Sequence, residues 1–224
     1  MNETDRWAVQ SRFWEAIAKT CASSPAIFCY DLMNEPILPD INKQETEWLT
    51  GELAGKYFVQ RITLDLAGRT SFKVARAWVD KLTTAIRTQD KNHMITIGVI
   101  PWAYTFPGAK PFFFSDEVGK NLDFVSVHFY PKKDDTANAL KALAVYNVGI
   151  PIISEEMFPL LGYIEELNTF IEGSRNLADG WIGFYWGHSL EDYRRQNQLN
   201  VSDVIIKGWL EYFQGKASEI IESK

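Results

Sequence analysis

Three short stretches place polar or acidic groups where an apolar run stops. Asn34-Glu35-Pro36 closes the run "AIFCYDLM", Glu155-Glu156 lies at the end of "GIPIISEEM", and His128 and Tyr130 lie near the end of "LDFVSVHFYP". Two carboxylic acids from different strands facing one cavity suit glycoside hydrolysis. One acid protonates the leaving oxygen and then activates water, while the other attacks the sugar. Their environments must differ, because like charges a few ångströms apart keep one of the pair protonated. A neighbouring amide such as Asn34 suits a sugar 2-hydroxyl. The apolar C–H faces of sugar rings suit aromatic covers, and Trp102, Phe106, Phe112, Tyr130 and Trp186 fall at or just past the ends of apolar runs.

Side chains alternate along a strand. His128 and Tyr130 therefore share the face of Ser126. In "PIISEEM", Glu156 shares a face with Ile152 and Ser154, while Glu155 shares the other with Ile153. Strict alternation admits only one of the two glutamates to a common cavity.

The elements that must position these groups repeat in a simple order. Trp7, Phe13, Trp14, Ile17 and Ala18 recur at helical spacing between Asp5 and Thr20, and Ser23-Ser24-Pro25 breaks the pattern. The first apolar run then reads as a strand buried on both faces. Helical text covers about 43–66 and 72–88, the latter with Trp78, Val79, Leu82 and Ile86 in one stripe. "HMITIGVIPW", "LDFVSVHFYP", "GIPIISEEM" and "GWIGFYWG" give four more strands. Helices are expected near 136–146 and 163–175, and another after Ser202-Asp203. Five short apolar strands alternating with helices imply right-handed parallel crossovers, in an open sheet or a barrel. No glycine-rich phosphate turn follows an early strand, whereas polar and aromatic residues end several strands, as in a barrel active site. Trp78 and Trp209 sit on helix stripes and are expected in the core. His93 begins a strand, at the opposite end from the acids, and His188 reads as a loop residue.

Composition narrows the class. The chain has 224 residues, 46% of them apolar and 23% charged, which suffices for one large core and a single domain over 1–224. A net charge of −6 with no cluster of Lys and Arg argues against nucleic acid as a partner. No stretch approaches the roughly 18 apolar residues of a membrane span, and the N-terminus lacks the basic and apolar regions of a signal peptide, so the chain as written reads as cytoplasmic. Cys21 and Cys29 read as two buried thiols. With three scattered histidines and no His-x-His pair, a metal-dependent hydrolase is disfavoured, and no cofactor is expected.

"YDLMNEP", "VSVHFYP", "PIISEEMFPL" and "GFYWG" resemble the fourth, sixth, seventh and eighth strands of glycoside hydrolase family 5, the cellulase-like group of retaining barrels. The resemblance covers nearly the whole chain and implies an incomplete TIM-type barrel of about five parallel strands. It implies Glu35 as acid/base and Glu156, rather than Glu155, as nucleophile. His128 and Tyr130 match that family's sixth-strand pair, with the tyrosine hydroxyl bonded to the nucleophile. Trp186 matches its sugar platform. The implied partner is a β-linked oligo- or polysaccharide such as a glucan or mannan. The family's first three βα units, with a second-strand arginine and a third-strand histidine, have no counterpart in this sequence.

That shortfall leaves two unpaired strand edges, from which self-association into a homo-oligomer is expected. The long segment from Leu38 to Gly68 is expected to form a helical flap over the cleft. The alternative to an enzyme is a non-catalytic carbohydrate-binding or assembly remnant that keeps the aromatic surface.

Overall fold

The structure, a computed structural model, describes residues 2–39, 43–49 and 51–222. Helix α1 (Glu3–Cys21) starts where the Asn2 side chain accepts the Asp5 amide at 2.9 Å. It packs on α2 (Ser71–Arg87), whose Thr70 cap accepts the Lys73 amide. The expected stripe of α2 is the centre of the core: Val74, Ala75, Trp78, Val79, Leu82 and Ile86 are wholly buried. Burying each of the larger ones contributes about 1.5–3 kcal/mol. The Trp78 indole reaches Gln10 of α1 at 3.0 Å, which satisfies its buried N–H.

The parallel strands are β1 (Cys29–Asp31), β4 (Met94–Thr96), β5 (Gly98–Val99), β6 (Val125–His128), β7 (Ile152–Met157) and β8 (Gly180–Gly183). β1 pairs with β4, and β5, β6, β7 and β8 pair in that order. β4 and β5 are consecutive pieces of one run interrupted at Ile97, so the sheet has the five strands read from sequence. Ile95, Ile97, Val99, Val125, Val127, Phe129 and Ile152 join the helix-side core. That core is closed by α4 (Thr136–Ala144) and α5 (Ile164–Ser174). A short α3 (Trp102–Thr105) follows β5, and α6 (Leu190–Arg195) precedes the long α7 (Val201–Glu222). α7 lies against α5, with Tyr212 donating to Asn168 and Lys216 to Glu172.

Among the described residues β1 pairs on one side only, and β8 likewise, so the parallel sheet is an incomplete barrel open between these strands. Two expectations change as a result. β1 is an edge and not buried on both faces: Tyr30 is buried, Cys29 and Asp31 on the other face are half-buried, and Phe28 just before the strand is 51% exposed. Cys21 and Cys29 are free, and only half-buried.

The segment expected as a helical flap is not one. Its described part holds a 3-10 turn (Glu45–Trp48) and a hairpin of β2 (Gly51–Leu53) and β3 (Lys56–Phe58). Residues 40–42 and 50 of that expectation lie outside the described residues. Ala54 and Gly55 have φ of +50° and +74°, the backbone of a tight two-residue hairpin turn that no helix accommodates. Beyond the hairpin the chain returns to the rim, where the Ile37 amide donates to the Gln60 carbonyl at 2.8 Å and the Ile62 amide donates to the Ile37 carbonyl. Trp209 also departs from expectation. It is half-buried, its ring set edge-on against Phe158 at 4.7 Å, because one side of α7 remains uncovered. None of the helices among the described residues is long and apolar enough to cross a membrane.

Candidate active site

The acids gather around His128 at the C-terminal ends of the strands. His128 ends β6, is 2% exposed, and its Nδ1 lies 3.1 Å from Glu35 Oε1 and 3.4 Å from Glu156 Oε2. The Tyr130 hydroxyl donates to Glu156 Oε2 at 2.8 Å. Glu35 follows β1 with its amide donating to the Gly98 carbonyl at 2.8 Å. Its φ of +49° is a left-handed conformation that costs a non-glycine residue about 1–2 kcal/mol. Strain of this kind persists where surrounding bonds fix the backbone, and here it aims the carboxyl at His128.

The register of β7 explains how Glu156 arrives. Val127 pairs with Ser154, but the next residue, His128, pairs with Glu156. One extra residue therefore sits on β7, a β-bulge that re-aims the side chains after it. Glu155 is hydrogen-bonded by the Ser126 hydroxyl while Glu156 is held by Tyr130. Both glutamates turn to the face of Ser126, His128 and Tyr130, and both line one hollow of about 240 Å³ together with Asp31, Ile182 and Phe184. The rule that alternation admits only one is thus corrected, and so is the grouping of Glu156 with Ser154. Ser154 is fully buried, with its hydroxyl unpartnered.

Asp31 is the acid that sequence reasoning passed over. Its Oδ1 accepts the amides of Gly98 at 2.9 Å and Met33 at 3.2 Å. Burial, reinforced by the nearby charge of Glu155, pushes its carboxyl up to about 7 against the opposing pull of those amides and of His128. For His128 burial works the other way, but the Glu35 hydrogen bond and the charges of Glu156, Glu35 and Asp31 outweigh it and raise the imidazole above its ordinary value. Gly98 is what allows this crowding: a Cβ there would stand 2.4 Å from His128 Nε2 and 2.7 Å from Asp31 Oδ2. Gln60, delivered by the hairpin segment, donates to Glu35 Oε2 at 3.5 Å. Gln60, Glu155 and Phe184 are further members that sequence reading missed. Only Asp31 left a usable signal, four residues before Glu35 in a strand that pairs with the run carrying Gly98.

Side-chain atoms of Asp31, His128 and Glu155, and separately of Glu35, His128 and Glu156, lie within 4.8 Å of one another. Such spacing admits a cation as well as shared protons. In the second group His128 Nδ1 faces both Glu35 and Glu156.

The aromatic expectations divide. Tyr130 reaches the acids. Trp102, 41% exposed, lies 5.8 Å from the Phe106 ring and lines a second cavity behind Pro36. Asn34 is exposed at the strand end. Trp186 is 97% exposed and absent from the lining of the acid hollow; it borders a neighbouring hollow with His188 and Gln214, and Tyr185 lines both. Tyr185 is held beside it, its ring stacked on Phe158 at 5.9 Å and its hydroxyl meeting that of Tyr193 at 2.8 Å. Ile182, Gly183, Phe184 and Tyr185 form the wall of the acid hollow on this side.

A five-stranded parallel sheet with helices on one face and acids at its carboxyl ends defines a part of a (β/α) barrel of the glycoside hydrolase type. The sequence belongs to the cellulase family, glycosyl hydrolase family 5, whose model matches residues 2–171. It is 28% identical over 208 residues to mannan endo-1,4-beta-mannosidase A of Podospora anserina, covering 83% of this chain and 47% of that protein. The exo-beta-1,4-mannosidase of Opitutaceae bacterium strain TAV5 superposes with a TM-score of 0.59 at 14% identity, over 97% of this chain and 40% of the other. The catalytic domain of Thermobifida fusca endoglucanase Cel5A gives 0.55 at 16% identity, over 84% and 54%. The chain spans about half the length of the curated relative it matches. The structural likenesses bear on fold alone.

Proposed function

We propose that this chain carries the site of a retaining β-glycosidase acting on a β-linked glucan or mannan, with Glu35 as acid/base and Glu156 as nucleophile. The carrying observation is that carboxylates from two separate strands face one imidazole, with an oxygen of each within 4.8 Å of the other. Retaining pairs stand about 5–5.5 Å apart and inverting pairs about 6.5–9.5 Å; acids whose nearer oxygens approach this closely are compatible with the retaining class, which family membership supports. Membership of the family and the mannosidase relative support the substrate class.

In this reading Glu156 attacks the anomeric carbon while Glu35 gives its proton to the departing glycosidic oxygen, leaving a glycosyl ester on Glu156. Glu35, now a carboxylate, takes a proton from water as that water's oxygen attacks the same carbon, and Glu156 departs with its electron pair. Tyr130 holds the attacking carboxylate in place, and His128 spans the two acids.

The test is release of phenol from aryl β-glucosides and β-mannosides by the purified chain, with Glu156→Gln reducing the rate by at least about a thousandfold. Equal rates for parent and variant would remove the assignment. A second reading, a carbohydrate-binding remnant, draws on the sheet that is open between β1 and β8 among the described residues. Calorimetry with manno- and cello-oligosaccharides separates the two, since a remnant binds without turnover.

A further inference from the structure

We propose that His128, Asp31 and Glu155 bind a divalent transition-metal ion of the zinc class in the acid hollow; the inference does not depend on the hydrolase reading. One ligand atom from each of these side chains lies within 4.8 Å of those of the other two. Donors to one zinc stand about 2.0–2.2 Å from it and so roughly 3.3–3.6 Å from one another, which asks the three side chains to close by little more than an ångström at most.

The imidazole at the centre sets this group apart from an ordinary gathering of acids. His128 is 2% exposed, and its Nδ1 faces Glu35 and Glu156, whereas Nε2 takes no hydrogen bond among the described residues. Leaving a buried ring nitrogen unpartnered is costly. In the neutral ring with Nδ1–H given to the acids, Nε2 presents a lone pair, the form in which histidine ligates a metal. A carboxylate on the other nitrogen, as Glu35 is here at 3.1 Å, is the usual support of such a ligand. Nε2 and Asp31 Oδ2 border the same point, since a Cβ on Gly98 would stand 2.4 Å from one and 2.7 Å from the other. Asp31 commits Oδ1 to the amides of Gly98 and Met33, and Glu155 commits Oε2 to the Ser126 hydroxyl. Asp31 Oδ2 and Glu155 Oε1 therefore remain without a hydrogen bond among the described residues. No lysine or arginine is among the described residues that line the hollow, so its carboxylates exceed what one imidazole balances.

One nitrogen and two carboxylate oxygens suit zinc and its first-row neighbours, whereas calcium and magnesium prefer oxygen alone. The three ligands come from β1, β6 and β7, which is why no His-x-His spacing marks them in the sequence. An ion held here would tie the edge strand β1 to the middle of the sheet.

The experiment titrates zinc chloride into the full chain after treatment with a chelator, read by calorimetry and by thermal melts. One ion should bind per chain, and at about a hundred times Kd it should raise Tm by about 5–10 °C. Asp31→Asn and Glu155→Gln should each weaken binding by at least about tenfold. His188→Ala, at an exposed histidine of the neighbouring hollow, should leave it unchanged. Cobalt in place of zinc should give the visible bands of nitrogen and oxygen ligation without the near-ultraviolet band of a thiolate ligand. This reading on the parent chain stands even if a variant does not fold. No binding, binding that neither acid substitution weakens, loss of binding in His188→Ala, or a thiolate band from Cys21 or Cys29 would each overturn the proposal. None of these readouts needs a glycoside, so failure of the hydrolase reading leaves them intact.

Discussion

His128 Nδ1 lies 3.1 Å from Glu35 Oε1, although the two residues are 93 positions apart in the chain. The contact joins the end of β6 to the turn after β1, two elements separated in the sheet by the run of β4 and β5. That run contributes Gly98, and the absence of a side chain there is what lets imidazole and acids converge.

Tyr130→Phe removes only the hydroxyl that donates to Glu156. The loosened carboxylate should attack about tenfold more slowly, with KM little changed, because the bond orients a reacting group and does not hold substrate. Steady-state rates on aryl β-glycosides measure this. An unchanged kcat, or a loss confined to KM, would show that the tyrosine does not position the nucleophile.

Asp31→Asn should make the protein more stable at pH 8 and change it little at pH 4. A carboxyl raised to about 7 in the folded state and near 4 when unfolded binds its proton more tightly when folded. The native state is therefore penalised as pH rises from about 4 to 7, and the full cost stands above 7. The amide keeps an oxygen for Gly98 and Met33 and carries no charge toward Glu155. His128, with its raised value, acts in the same direction, because its contribution is complete below its unfolded value and disappears as pH rises through the folded one. The groups around the pair are Glu35, Glu155, Glu156 and the Cys29 thiol, itself pushed up to about 12 by burial and by Glu155 and Asp31. Thermal melts of parent and variant at the two pH values decide it, and a variant less stable than the parent at pH 8 would contradict the cluster.

Much of this was legible in the residues. The α2 stripe from Val74 to Ile86, the five apolar runs and the placement of Glu35, His128 and Tyr130 at strand ends all follow from spacing, because one buried face imposes a period on a helix and a two-sided core imposes continuity on a strand. What escaped were local departures from those periods. The bulge at Glu155 changes side-chain direction by one residue without altering composition, so alternation excluded an acid that does enter the cleft. The hairpin around Ala54-Gly55 carries enough helix-forming residues to mimic a helix, and its positive φ values are backbone properties that Ala54 does not announce. Trp186 is absent from the lining of the acid hollow, and the contacts that hold its neighbour Tyr185, to Phe158 and Tyr193, lie outside the run "GFYWG".

Asp90→Asn should lower stability by about 2–4 kcal/mol while leaving the acid cleft intact. The Asp90 side chain is wholly buried between α2 and β4. It accepts from the Tyr30 hydroxyl at 2.7 Å, the Asn92 amide at 2.8 Å and the His93 amide at 3.1 Å, and it pairs with His93 Nδ1 at 2.5 Å. Burial opposes its charge, but these donors outweigh it and hold the carboxyl below the usual range. Its contribution is therefore present above the ordinary carboxylate value and lost as pH falls through the lowered one. An amide nitrogen cannot accept from Tyr30 or His93, so the link between β1 and this loop is cut. Urea titration at pH 7 should show a lower midpoint at constant slope. A midpoint equal to that of the parent would show that the network carries no net stability.

Self-association is the remaining expectation, and the structure gives it a location. Phe28 beside β1 is 51% exposed, while Ile182 and Phe184 at the β8 end are 41% and 51% exposed. Both strands have an unpaired side among the described residues. An edge that offers free backbone donors and acceptors next to apolar side chains recruits another strand unless a charge or proline blunts it. The chain by itself should therefore scatter light as a dimer or larger species at micromolar concentration, and salt should not disperse it, since burial of carbon and backbone pairing drive the contact and surface ion pairs do not. Phe28→Lys and Ile182→Lys place a cation on each edge in turn and should each shift the mass toward that of a single chain. A parent that already scatters as one chain would show that these edges are satisfied within the molecule, and the lysine variants would then differ from it in neither mass nor retention.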